Sequence, residues 1–165
     1  MIYFTTFILT LLFSHIARAT PACANVTSET SPKELYDLYA DAQHALPIVV
    51  YDVTWTNKYG NPNGSTNCVA CSNLAHRYPH FRNFTSFPYI GGAFNIKRGS
   101  PNCGECWTLT NLRTHKSISF TAIDSATTGF NISKESFIVL NGGTLGNGTL
   151  QAEAKLIPRH FCDFK

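Results

Sequence analysis

Six cysteines, at Cys23, Cys68, Cys71, Cys103, Cys106 and Cys162, set the strongest limit on what this chain can fold into. An even set in an oxidising compartment predicts three disulfide bridges, and the spacing alone leaves fifteen pairings open. Each long-range bridge stabilises the fold by about 3–5 kcal/mol, because it restricts the unfolded chain. The rival use is zinc: Cys68-Val-Ala-Cys71 and Cys103-Gly-Glu-Cys106 have the C-x-x-C spacing that grips a tetrahedral metal. A zinc site would leave Cys23 and Cys162 stranded and fits poorly with export, so disulfides are expected and no metal or cofactor is.

Export is read from residues 1–19. An apolar run, Phe7 to Phe13, precedes Ala17-Arg18-Ala19, the small-x-small pattern of a signal-peptidase site, although the usual positive n-region is reduced to the α-amino group of Met1. The alternative is a buried N-terminal helix. The run is shorter than the roughly 20 residues a membrane helix needs, and no later stretch reaches that length. Cleavage would leave about 146 residues from Thr20 onward, enough for one domain, with a net charge near +2 once Arg18 is lost from the formal +3. So weak and scattered a charge argues for neither nucleic acid nor an anionic membrane as partner. Five N-glycosylation sequons, at Asn25, Asn63, Asn83, Asn131 and Asn147, agree with the secretory route.

Two textures follow the signal. Over 20–47, Ser31-Pro32-Lys33-Glu34 supplies a cap, an N1 proline and a capping-box glutamate. Leu35, Leu38, Tyr39, Ala42 and Leu46 continue an apolar face, predicting a helix over 32–46 stopped by Pro47. From 48 to 165 the pattern is β. Strands are expected over Ile48–Trp55, Trp107–Thr110, Ile118–Asp124 and Leu150–Leu156, with a Gly/Pro/Asn/Ser loop over 57–67. Ser133 caps a short helix through Leu140, and Gly142-Gly143 stops it. Short strands in quick succession with Gly-rich turns predict an all-β barrel or sandwich with minor helices.

Among the ten acids, Asp124 stands apart. Strict alternation along Ile118, Phe120 and Ala122 puts its carboxylate on the apolar side at the strand's mouth, where desolvation would raise its pKa and let it donate a proton or hydrogen bond to a sugar oxygen. The plainer reading is an aspartate that ends the strand by binding the turn Ser125–Gly129. Asp52 is the second candidate, on a strand apolar in both parities. Glycosidic hydrolysis takes two flanking carboxyl groups, and only Asp124 is placed by pattern. The histidines at 44, 76, 80, 115 and 160 have no zincin spacing, and there is no nucleophile elbow or phosphate loop. Tyr51, Trp55, Tyr78, Phe81, Phe84, Phe87, Tyr89 and Trp107 are read as core more than as sugar-stacking rings, Trp107 above all.

Several ordered motifs carry a resemblance. Tyr51-Asp52, Val69-Ala70-Cys71-Ser72, Ile90-Gly91-Gly92-Ala93, Ser100-Pro101-Asn102-Cys103-Gly104-Glu105-Cys106-Trp107, and Ala122-Ile123-Asp124 followed by Gly129-Phe130-Asn131-Ile132 resemble, in that order, the cerato-platanin family over about residues 48–162. The resemblance implies a six-stranded double-psi β-barrel like the first domain of expansins, with bridges Cys71–Cys103 and Cys106–Cys162. Cys23 and Cys68 would then form a third bridge. The extension over 20–47 and this additional cysteine pair depart from the family's usual pattern.

The resemblance also implies function. Such proteins are small, mostly fungal and secreted; they bind chitin oligosaccharides in a shallow groove, loosen cellulosic material without cleaving it, and are sensed by plants as elicitors. Asp124, Asn131, Asp52 and Ser125 are the expected glycan-binding residues. Asn131 also heads a sequon, and a glycan there would obstruct the groove, so Asn25, Asn63, Asn83 and Asn147 are the expected glycosylation sites. The expected partners of this monomer are cell-wall polysaccharide or N-acetylglucosamine oligomers and, in the interaction reading, a host receptor. The enzymatic alternative is an endoglucanase-like hydrolase with Asp124 as acid and Asp52 as base.

Overall fold

In a computed structural model of the protein, residues 49–162 are described. The signal segment, the 32–46 helix, Cys23, Asn25 and His44 lie outside the described residues. Six strands form where β-branched and aromatic residues concentrate: β1 (Val50–Thr56), β2 (Ile90–Ala93), β3 (Cys106–Asn111), β4 (Ser117–Ser125), β5 (Phe130–Ser133) and β6 (Thr149–Ile157). They close in the order β1-β5-β2-β4-β3-β6. β1 pairs with β5, and β2 with β4, in parallel; the other four pairings are antiparallel. This is the mixed six-stranded barrel that the resemblance implied.

Alternation fills the interior. Val53, Leu109, Phe120, Phe130, Ile132 and Ala152 are fully buried, drawn from five of the six strands. Phe130 is the hub, meeting Tyr51, Trp107 and Phe120 edge to face at 5.2–5.8 Å. Trp107 is buried, as expected of core.

The helix α1 (Lys134–Leu140) starts where the Ser133 hydroxyl accepts from the Ser136 amide at 3.1 Å. It seats Phe137 and Leu140, both fully buried, against the barrel. Gly142 and Gly143 end it with φ of +76° and +100°, the left-handed backbone that glycine adopts without a Cβ clash.

The connection between β1 and β2, residues 57–89, carries four 3-10 turns and a second layer of core. Tyr59, Val69, Phe81 and Phe84 are buried there, and the Tyr78 and Phe84 rings stack at 4.6 Å. Cys71–Cys103 ties this connection to the segment before β3, and Cys106–Cys162 ties β3 to the C-terminal turn. With four thiols committed to these bridges, neither C-x-x-C pair can grip a metal. Cys68 is exposed and unbridged among the described residues; its expected partner, Cys23, lies outside them.

Candidate functional site

The register brings Thr54, Asn131, Gly92 and Asp124 into one row across β1, β5, β2 and β4. Asn131 faces away from the core between Phe130 and Ile132, both fully buried. Gly92 pairs with both Asn131 and Asp124, so Asp124 shares that outer side. Alternation had put Asp124 on the apolar side. The correction comes from a register shift between Gly91 and Gly92: Gly91 pairs with Ala122 and Gly92 with Asp124, leaving Ile123 as the extra residue of a bulge. The bulge buries Ala122 and Ile123 together and turns the acid outward.

The acid is outward but not open. Its side chain is only 11% exposed. Oδ1 accepts from the backbone amides of Ala70 and Ser125, each at 2.9 Å; Oδ2 accepts from Lys58 Nζ at 2.7 Å and the Tyr59 hydroxyl at 3.1 Å. An ionised carboxylate offers about four acceptor positions, and here four protein donors fill them. Burial alone would push the carboxyl up. The hydrogen bond from Lys58, the two amide bonds and the Lys58 charge outweigh it and hold the pKa below the ordinary 3.8. The expected upward shift is therefore reversed: Asp124 is ionised at neutral pH and cannot supply the proton of a general acid. The Tyr59 phenol is driven well up by its burial, then by the charge of Asp124 and the bond it donates there.

Asp124 thus fastens two parts of the 57–89 connection, Lys58-Tyr59 and Ala70, to the end of β4. Close packing sustains the arrangement. A Cβ at Gly92 would lie 2.8 Å from the Ser125 carbonyl oxygen, and one at Gly91 would lie 2.7 Å from that of Asn131. The Asn131 Oδ1 is buried with no hydrogen-bond partner among the described residues.

The other expected residues are more open. Ser125 is exposed, and Asp52 is exposed on β1 opposite Gln151. Beside Asp52, Tyr51 stacks on Phe94 with centroids 4.8 Å apart and planes 17° from parallel. Phe94 is 39% exposed, a large apolar ring turned to solvent at the end of the barrel where β2 leaves and β1 enters. Below the pair, Trp107 lies 5.9 Å from Phe94, and its Nε1 donates to Glu105, which also accepts from Asn95 at 2.7 Å. Sequence reasoning passed over Phe94, Lys58 and Tyr59. The only signal was position, Phe94 directly after Ile90–Ala93 and Lys58-Tyr59 directly after β1.

A closed mixed barrel with two bridges, an acid-anchored connection and an exposed ring pair defines the class. Residues 49–163 match the model of the Cerato-platanin family, and the chain belongs to that family. Cerato-platanin 2 from M. perniciosa superimposes with a TM-score of 0.64 at 34% identity, covering 69% of this chain and 98% of that one. The solution structure of the fungal elicitor Cerato-Platanin gives 0.62 at 29% identity, covering 67% and 95%. Allergen Asp f 15 of Aspergillus fumigatus is 37% identical over 118 residues, 68% of this chain and 74% of that protein. The heat-stable 19 kDa antigen of Coccidioides immitis is 35% identical over 98 residues, 56% of this chain and 66% of the relative's length. Among the described residues no helix is long and apolar enough to cross a membrane.

Proposed function

We propose that the protein is exported and binds cell-wall polysaccharide of the chitin or cellulose type without hydrolysing it, loosening glycan–glycan contacts. The observation that carries this reading is the solvent-facing Phe94 ring stacked on Tyr51. A flat aromatic face offers the apolar side of a pyranose a surface to stack on. Asp52 and Ser125, both exposed, supply acceptors and a hydroxyl near it for the sugar's hydroxyl groups.

In this reading Asp124 is a positioning residue. It holds the 57–89 connection beside the Asn131 row and competes for no glycan hydrogen bond itself. The hydrolytic alternative loses its acid, because Asp124 is held ionised, and Asp52 alone makes no pair. Family membership, with a solved relative described as a fungal elicitor, supports recognition by a host receptor as a second role.

Retention on insoluble chitin and cellulose, measured beside reducing-sugar release, tests the proposal. Retention without release is expected. Release of reducing ends by the wild-type protein would overturn the non-hydrolytic reading, and failure to be retained on either material would overturn the binding one.

A further inference from the structure

The sequons differ sharply in where the fold puts the atom that N-glycosylation modifies. At Asn63, Asn83 and Asn147 the side chain is exposed and its Oδ1 is the atom held by the protein. Asn63 Oδ1 accepts from the Arg82 guanidinium, Asn83 Oδ1 from the His80 amide at 2.8 Å, and Asn147 Oδ1 from the Thr149 amide at 3.5 Å. The guanidinium and backbone N–H groups only donate, so they fix the carbonyl oxygen toward the protein and leave Nδ2 outward. None of the three Nδ2 atoms has a hydrogen-bond partner among the described residues.

Asn131 is the opposite case. It lies within β5 between β1 and β2, its Oδ1 is buried, and the sequon hydroxyl of Ser133 is fully buried as the cap of α1. A branched sugar on its nitrogen would have to emerge through the row beside Thr54 and Gly92.

We propose that Asn63, Asn83 and Asn147 carry N-linked glycans and that Asn131 does not. This rests on the export reading, because the donor is a lipid-pyrophosphate-linked oligosaccharide of the secretory pathway. The asparagine Nδ2 bonds to the sugar C1 as the C1–O(phosphate) bond breaks; Nδ2 loses a proton and the lipid pyrophosphate leaves.

The test uses the full chain secreted by a eukaryotic host and digested with a peptide-N-glycosidase in heavy-oxygen water, so that each formerly glycosylated asparagine is read as labelled aspartate. Label at Asn63, Asn83 and Asn147 with none at Asn131 is expected. Ser65→Ala, Thr85→Ala and Thr149→Ala should each remove one glycan's mass from the intact protein. Label at Asn131, or a secreted protein lacking label at any of the three, would overturn the assignment. Retention inside the cell would overturn the export reading instead, and this one with it. Binding of the deglycosylated protein to chitin reports separately on the glycan-binding role.

Discussion

Lys58 and Asp124, 66 residues apart in sequence, meet at 2.7 Å on the outer side of the barrel. The lysine is 45% exposed on its side-chain atoms, whereas the carboxylate it holds is nearly sealed. The pair is asymmetric: one partner has water to fall back on and the other has only its protein donors.

Substitutions should expose that asymmetry. Asp124→Asn removes the charge that four donors surround and is expected to cost about 1–3 kcal/mol in chemical denaturation. Lys58→Met, which leaves Tyr59 and two amides in place, should cost below about 1 kcal/mol, as for a half-exposed ion pair. Equal costs would mean that Lys58, and not the carboxylate's whole set of bonds, holds the connection.

Acid should loosen the same anchor. The Asp124 pKa is lowered in the folded state, so the unfolded chain binds the extra proton first as pH falls, and stability rises with pH across that window. The contribution is whole above about pH 4, the ordinary aspartate range, and is lost as pH drops through the lower folded value. Acid denaturation monitored by circular dichroism should show this slope in the wild type and a shallower one in Asp124→Asn.

Phe94→Ala separates binding from folding. The ring is partly exposed, so stability should change little beyond the roughly 0.5–1.5 kcal/mol of its aromatic contacts. Retention on chitin or cellulose should fall by about tenfold, the equivalent of about 1.4 kcal/mol. Unchanged retention would move the glycan surface elsewhere.

Two glycines test the packing of the row. Gly92→Ala drives a Cβ to 2.8 Å from the Ser125 carbonyl oxygen, with backbone on the other side that cannot yield cheaply, and should cost about 1–3 kcal/mol. Gly99→Ala meets nothing within 4 Å but must hold φ at +66°, and should cost about 1–2 kcal/mol by backbone strain alone. Thermal melts of the two variants, with retention on chitin as a second readout, would distinguish them: only Gly92→Ala should disturb Asp124 and its neighbours.

The bridge Cys106–Cys162 encloses 56 residues of sequence separation, and replacing both cysteines by alanine should lower stability by about 4 kcal/mol. A non-reducing peptide map should find this pair and Cys71–Cys103.

Much of the barrel was legible because β1, β3, β4 and β6 are long enough, at six to nine residues, to declare themselves by alternation or β-branched content. β2 and β5 span four residues each, and β2 contributes Gly91 and Gly92, which have no side chain to alternate. The resemblance implied six strands without placing these two. The same glycines hid the bulge, so a parity argument carried across Ile123 placed Asp124 on the wrong side. Its charge state was misjudged for a related reason: Lys58, Tyr59 and Ala70 lie 54 to 66 residues away, and no local pattern announces donors brought in by a distant connection.

Closure of the barrel has a further consequence. With β6 returning to β1, each of the six described strands has a neighbour on both sides, and among the described residues no strand edge of bare amides and carbonyls is left to recruit a strand from another molecule. In the proposed role, with copies crowded on an insoluble glycan, the barrel would offer them no open edge on which to pair.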